Sequence, residues 1–137
     1  MKAKVALVHD FLTQKGGAEL VLRVLHELYP DAPIYTLVAD KKKFKKILPG
    51  ATIISSFLNY PAKIKLPYQW LLPLMPMAVE SFDCSQYDVV ISSTSAFAHG
   101  VITKSTTLHL SYCHTPTRYL WSDTHSYVRD VRAPGVL

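Results

Sequence analysis

The sequence contains few cysteines and no long apolar run. Its 137 residues include two cysteines, Cys84 and Cys113, too few for a disulfide framework in so short a chain and typical of reduced cytosolic thiols. No stretch of about 20 uninterrupted apolar residues occurs, so we expect no membrane-spanning helix. Residues 1–4 lead directly into a strand-length segment rather than a long apolar h-region, which predicts that no signal peptide is present.

Several signatures of catalysis and metal binding are also missing. The sequence has no Gly-x-Ser-x-Gly elbow, so serine hydrolysis has little support. It lacks a closely placed carboxylate pair of the kind that glycosidases use. Cys113 and His114 are adjacent, which is poor spacing for a shared metal, and neither cysteine belongs to a Cys-x-x-Cys motif. We therefore expect no metal site and no bound cofactor.

The positive charge of the chain is concentrated in one short segment. Five lysines lie within six residues, and they equal the whole net charge of +5: Lys41, Lys42, Lys43, Lys45 and Lys46. Two interpretations stay open, a solvated loop or short helix, or a patch that attracts anionic lipid or another polyanion. Nucleic acid is disfavoured as a partner because only Phe44 interleaves with the lysines.

The opening segment predicts the first half of a βαβ unit. Val5–Val8 is an apolar run typical of a buried parallel strand, and the pair Gly16 and Gly17 precedes a helical segment, Ala18–Leu28. The apolar residues expected on the inward face of this helix are Val21, Val24, Leu25 and Leu28. The glycines allow a ligand to approach the backbone, and the helix start offers N–H groups to an anion such as a phosphate. The motif is neither GxGxxG nor a P-loop.

Strands and covering segments alternate through the rest of the chain. The further predicted strands are Ile34–Val38, Thr52–Ser55, Tyr87–Ser92 and Leu108–Cys113. This alternation predicts an α/β fold, a Rossmann-like parallel sheet with helices on both faces, within a single domain. In a doubly wound sheet of order 3-2-1-4-5, strands one and four are neighbours at the topological switch point, where ligands bind.

The segment Phe57–Phe82 is apolar but rich in proline. Pro61, Pro67, Pro73 and Pro76 exclude one long helix and predict short, kinked helical pieces. The segment can be an ordinary layer over the sheet. It can also be an exposed amphipathic surface whose aromatic residues and leucines, with nearby lysines, suit a membrane interface.

Polar groups directly follow three of the predicted strands. The candidate residues are Asp10 with Gly16 and Gly17, the Ser93–Gly100 loop with His99, and His114 with Arg118 and Tyr119. Because the carboxyl ends of parallel strands lie at one edge of a sheet, we expect the three groups to converge on one cleft. Their hydroxyl, imidazole, carboxylate and guanidinium groups suit a polyhydroxylated or phosphorylated ligand.

Each of these residues also has a purely structural interpretation. His114 can cap a strand end, and Arg118 can pair with Asp123. Asp10 can be a turn residue that accepts a backbone N–H, and Ser92–Ser95 can satisfy the loop backbone.

Three pieces of this sequence together carry a resemblance. Lys4–Phe11 with Gly16–Glu19 looks like the start of a family 4 glycosyltransferase, and Asp88–Ser93 with Ala98–Gly100 looks like its fourth strand and following loop. Tyr112–Trp121 is the most specific piece. It is similar to a segment of bacterial mannosyltransferase-type members that build surface polysaccharides. The resemblance covers most of the chain in the expected order and spacing.

The resemblance implies one half of a GT-B fold, in which two Rossmann-like domains face each other across a cleft. The N-terminal domain holds the acceptor, and the C-terminal domain holds most of the nucleotide sugar. Such enzymes retain anomeric configuration and use no metal. Gly16 and Gly17 would lie near the donor diphosphate or an acceptor phosphate, and His114 would face the transferred sugar as the catalytic residue. The residues that would shape the acceptor side are Asp10, His99, Arg118 and Tyr119.

The resemblance also predicts what the chain does in the cell. The family's donor-binding half, with its paired-glutamate motif, is absent from the sequence, so we expect residues 1–137 to form a partial N-terminal domain that is inactive alone. The expected activity is retaining hexosyl transfer from a nucleotide sugar to a saccharide or lipid-linked acceptor in surface polysaccharide synthesis. The expected location is the cytoplasm, with peripheral attachment to the inner face of the membrane left open. Two alternatives are a non-catalytic Rossmann-type module that binds a nucleotide or phosphorylated ligand, and a peripheral membrane interaction domain that uses Lys41–Lys46 and Phe57–Met77.

Overall fold

A five-stranded parallel sheet organises the chain in a computed structural model, which describes residues 3–60 and 71–116. The strands are β1 (Val5–Leu12), β2 (Ile34–Ala39), β3 (Ile53–Ser55), β4 (Val89–Thr94) and β5 (Leu108–Cys113). Their spatial order is β3-β2-β1-β4-β5, and each neighbouring pair is parallel. The predicted α/β fold class and strand order are therefore confirmed, with β1 and β4 adjacent at the switch point.

Short helices connect and cover the strands. The α-helices are α1 (Gly17–Leu28), α2 (Lys41–Phe44) and α3 (Met75–Glu80), and 3-10 turns span Leu72–Leu74 and Ala98–Gly100. Pro73 and Pro76 occupy the first turns of the 3-10 segment and of α3, where the missing proline N–H costs no helical hydrogen bond. The predicted short helical pieces are thus confirmed for residues 71–80, whereas residues 61–70 lie outside the described residues.

Both faces of the sheet are covered by apolar side chains. Successive residues of β1 point to opposite faces, so that Leu7 packs with Leu22 of α1 and Val8 packs with Met75 of α3. All four of these side chains are fully buried. Burial on both faces explains why β1 is a continuous apolar run rather than an alternating one.

Helix α1 turns a different face to the sheet from the one predicted. Leu22 is fully buried, and Glu19 and His26 lie on the same inward side. Val24 and Leu28 are 51% and 66% exposed, so the prediction that they face the core is wrong. The polar residues of α1 form one stripe, and the structure turns the border between this stripe and the apolar one toward the sheet, so that Leu25 packs against the core as predicted. The inward face instead carries the polar contacts of Glu19 with His9 and of His26 with a backbone carbonyl.

Candidate ligand-binding cleft

A cleft of about 320 Å³ opens at the carboxyl ends of β1 and β4. Its walls are the end of β1 (His9–Phe11), the start of α1 (Gly16–Glu19) and Ser95 with Ala96 after β4. The structure therefore brings two of the three predicted polar groups together at the switch point. This is the position at which open parallel sheets bind their ligands.

The two glycines form the start of α1 in different ways. Gly16 is the N-cap in extended conformation, and a Cβ at this position would lie 3.0 Å from Oε2 of Glu19. Gly17 is the first helical residue, and a Cβ there would meet no atom within 4 Å. The side of Gly17 is thus open, and the first N–H groups of a helix lack partners within the helix. Together these features leave room for an anion at the helix start.

Glu19 places a carboxylate in the first turn of the same helix. Its Oε1 lies 3.8 Å from Nε2 of His9, and both side chains are largely buried. Contact with the His9 ring holds the pKa of Glu19 below its ordinary value against the effect of burial, and the backbone N–H groups of Glu19 and Gly16 act in the same direction. An anionic ligand in the cleft would therefore meet Glu19 as well as the positive end of the helix dipole.

Asp10 anchors the loop that follows β4. Its Oδ2 accepts the backbone N–H groups of Ser95 at 2.6 Å and Ala96 at 2.9 Å. Its Oδ1 accepts those of Phe97 at 2.9 Å and Ala98 at 2.6 Å. The side chain is 5% exposed. Asp10 therefore shapes the cleft by holding one of its walls, with both carboxylate oxygens occupied by the loop backbone.

His99 and His109 lie together on the Asp10 side of the sheet. Nδ1 of His99 is 3.4 Å from Oγ1 of Thr94, which also reaches both oxygens of Asp10 at 3.3 Å. Nε2 of His109 is 3.0 Å from Oγ of Ser92. Burial lowers the pKa of His109, and the neighbouring His99 lowers it further. Neither histidine lines the cleft at the start of α1.

His114 lies directly after β5 and is linked to the cleft through buried side chains. Its backbone N–H donates to the carbonyl of Thr94, and its Nε2 is 2.7 Å from Oγ of Ser93. Ser93 in turn contacts His9, whose ring forms part of the cleft wall. Burial lowers the pKa of His114, His9 lowers it further, and the carboxylates of Asp10 and Glu19 act in the opposite direction. His114, the described member of the third predicted group, thus lies at the same edge of the sheet.

Two residues that connect the site, His9 and Glu19, were not among the candidates, and Ser93 was predicted only as part of the Ser93–Gly100 loop. Their relation follows from register, since His9 of β1 pairs with Ser93 of β4, and Ser93 pairs with Tyr112 of β5. His114 comes two residues after Tyr112, so it returns to the face that His9 and Ser93 occupy. The alternation of side-chain direction along β1 and β4 could have predicted that His9 and Ser93 lie on one face of the sheet. Arg118 and Tyr119 lie outside the described residues.

The lysine cluster lies at the same edge of the sheet, beside β2. Its five lysines are exposed around the fully buried Phe44, and Asp40 caps α2 by accepting the N–H of Lys43. A second cleft, of about 540 Å³, is lined in part by Thr13, Lys41 and Asn59. The structure thus confirms a short helix here, with its charges turned to solvent.

Known proteins offer no direct assignment. No family model, curated protein or solved structure matches the chain. In residues 3–60 and 71–116, no helix is long and apolar enough to cross a membrane. Over the same ranges, no group of three or more histidine, cysteine, aspartate or glutamate side chains is placed to hold a metal ion.

Proposed function

We propose that this chain is the acceptor-side domain of a retaining, nucleotide-sugar-dependent glycosyltransferase. The main supporting observation is that Gly16 and Gly17 line the cleft at the switch point of a sheet ordered β3-β2-β1-β4-β5, and that His114 lies at the same edge of this sheet, linked to the cleft through Ser93 and His9. The resemblance of Lys4–Glu19 and Tyr112–Trp121 to family 4 glycosyltransferases adds the reaction class. The proposed acceptor is a saccharide or lipid-linked saccharide of surface polysaccharide synthesis, and the transferred group is a hexose.

In this proposal the residues at this edge of the sheet have separate roles in sugar transfer. The bond between the anomeric carbon and the diphosphate oxygen breaks, a bond to the acceptor hydroxyl oxygen forms, and the proton of that hydroxyl passes to the leaving diphosphate. Negative charge develops on the leaving diphosphate, and the open start of α1 at Gly17 is suited to stabilise it, whereas the N–H of Gly16 already faces the Glu19 carboxylate. His114 would face the transferred sugar, while Asp10 holds the wall of the cleft. A second domain closing over this edge would exclude water.

Hexose transfer measured with a panel of nucleotide sugars tests this proposal. The protein is expressed from its complete gene, and His114→Ala is compared with His109→Ala, a histidine on the opposite face of the same strand. We expect a loss of roughly 100-fold in turnover for His114→Ala and little change for His109→Ala. We also expect no transfer by the 137-residue chain alone.

Equal turnover in wild type and His114→Ala would remove His114 from the sugar site. An absence of transfer with every nucleotide sugar would overturn the proposed activity. Calorimetric binding of nucleoside diphosphates without transfer would favour the alternative of a non-catalytic binding module of Rossmann type, for which the open helix start at Gly17 is the supporting observation.

Peripheral attachment to an anionic membrane is a second candidate function, favoured by the surface around α2. The exposed lysines have exposed aromatic neighbours, since Phe57 and Tyr60 are 52% and 76% exposed. Oδ1 of Asn59 accepts the N–H of Ala39, which brings this aromatic segment against the start of the lysine cluster. Lysines beside interfacial aromatics suit the surface of an anionic bilayer.

Co-sedimentation with phosphatidylserine vesicles tests the membrane candidate. We expect binding that falls as salt rises and that is lost when the five lysines of the cluster are replaced by glutamine. Replacement of Lys15 and Lys104, which lie outside the cluster, is the control. Equal binding to neutral phosphatidylcholine vesicles, or retention of binding after the fivefold replacement, would contradict this function.

A further inference from the structure

The hydrogen bonds behind His114 determine where the nearby histidine protons lie. Nδ1 of His9 is 3.0 Å from the carbonyl oxygen of Ser93 and 3.1 Å from its Oγ. A carbonyl oxygen can only accept a hydrogen bond, so Nδ1 of His9 must carry the proton. The same N–H therefore also points toward Oγ of Ser93, which accepts from it.

The hydroxyl of Ser93 must then donate to His114. Ser93 is fully buried, and in the described part of the chain its Oγ contacts only the rings of His9 and His114. If His114 donated from Nε2, Oγ would receive two donors, and its own hydrogen would be buried without an acceptor, which is unfavourable. With the hydroxyl donating across 2.7 Å, Nε2 of His114 is the acceptor and carries no proton.

We propose that Ser93 is a positioning residue that holds His114 as the neutral tautomer with its proton on Nδ1. The ring then offers an N–H donor to a ligand oxygen, and its basic nitrogen is occupied by Ser93. That His114 meets a sugar hydroxyl or a phosphate oxygen rests on the proposed function. The tautomer itself follows from the contacts of Ser93 alone.

The charges around His114 are consistent with a neutral ring. The groups that face it are His9 and Glu19 on the α1 side and Asp10 at the end of β1. Burial outweighs the two carboxylates and lowers the pKa of His114. A second proton on His9 would occupy Nε2, which faces Glu19 at 3.8 Å, and would leave the donor at Nδ1 unchanged. The arrangement around Ser93 is therefore the same in both protonation states of His9.

Nitrogen-15 NMR of the histidine rings in the 137-residue chain above pH 7 tests the tautomer. We expect Nε2 of His114 to resonate as an unprotonated nitrogen and Nδ1 as a protonated one. In Ser93→Ala, with the fold checked by circular dichroism, we expect protonated Nε2 to become populated. The matched control is Ser92→Ala, which removes an equally buried hydroxyl bonded to His109 and should change that ring while leaving His114 as in wild type.

Protonated Nε2 of His114 in the wild-type chain would overturn the inference, even if Ser93→Ala fails to fold. An unchanged tautomer in a folded Ser93→Ala chain would also overturn it. These readouts need no sugar transfer, so failure of the transfer assay leaves them unaffected.

Ligand contact at Nδ1 has its own test, in two arms. Pyrophosphate and a methyl hexoside are titrated separately into the chain. A shift of the His114 Nδ1 resonance with pyrophosphate identifies a phosphate oxygen as the partner, and a shift with the hexoside identifies a hydroxyl. If neither compound moves the resonance, the donor role toward a ligand is wrong.

Discussion

At the scale of single residues, Asp10 decides the shape of the cleft wall. The loop after β4 has backbone N–H groups that no neighbouring strand accepts, and four of them, at residues 95–98, donate to this one carboxylate. Buried backbone donors need such partners. A short acidic side chain at the end of the central strand thus replaces a regular ladder of hydrogen bonds at the switch point.

We expect Asp10→Ala to lower the free energy of unfolding by roughly 3 kcal/mol, since it leaves several buried or half-buried N–H groups without an acceptor. Asp10→Asn, which keeps one oxygen, should lose less. Urea denaturation measures both. The control is Asp83→Ala, because the exposed Asp83 carboxylate accepts hydrogen bonds only from Ser85 among the described residues. Equal losses for Asp10→Ala and Asp83→Ala would contradict the anchoring role.

At the scale of elements, α1 and the end of β1 form one unit around His9 and Glu19. The apolar spacing of α1 predicted a helix correctly but wrongly placed Val24 and Leu28 inward, because the side of α1 that faces the sheet is the border between its apolar and polar stripes. The polar pairing of Glu19 with His9 and the burial of Leu22 mark the inward side. The hydrophobic period of α1 is therefore enough to identify a helix. Which side of this helix faces the sheet depends on tertiary contacts.

We expect Leu22→Ala to lower the free energy of unfolding by about 2–5 kcal/mol, since a fully buried leucine leaves a cavity. Val24→Ala should change it by less than about 0.5 kcal/mol, because this side chain is half-exposed. Urea denaturation of the two variants gives the comparison. Similar costs for both would mean that Val24 faces the core after all.

The open side of Gly17 leads to opposite predictions for stability and for ligand binding. Gly17→Ala should raise the free energy of unfolding by roughly 0.5–1 kcal/mol, because alanine favours a helix and its methyl group meets no atom. The same methyl group should weaken pyrophosphate binding by crowding the helix start. Calorimetry measures the affinity, and Gly100→Ala, also in open space but outside the cleft wall, is the control. Unchanged affinity in Gly17→Ala would place the anion elsewhere.

At the scale of the whole molecule, the strands and their order could be predicted from the sequence. Continuous apolar runs such as Val5–Val8 and Val89–Ile91 identified central parallel strands, and the alternation of elements predicted the strand order. The boundaries shifted, since β1 extends to Leu12 and β4 to Thr94. The link from His9 through Ser93 to His114 was not predicted because it depends on register between three strands distant in sequence.

The stability of the molecule should fall as the pH falls. Burial lowers the pKa of His109 and His114 below the ordinary value of 6.5, so the unfolded chain takes up protons first. The stability that these neutral rings contribute is present above pH 6.5. It is lost as the pH drops toward the pKa values of the two histidines in the folded chain. The pKa of Glu19 is also lowered from its ordinary value of 4.5, so protonation of Glu19 causes a further loss of stability below pH 4.5.

Urea denaturation on either side of pH 6.5 measures this effect. In His109→Gln the loss of stability between the two conditions should be smaller than in wild type, since one of the two titrating rings is gone. A free energy of unfolding that stays constant or rises on acidification would show that these histidines are not held neutral in the folded chain.

The central claim is that the carboxyl edge of β1, β4 and β5 is the ligand site, and backbone amide NMR during titration with a nucleoside diphosphate tests it most directly. We expect the backbone amide resonances of Gly16–Glu19, Ser95 and Ala96 to shift, together with the ring resonances of His114. Shifts confined to Lys41–Lys46, or no shifts at all, would contradict it.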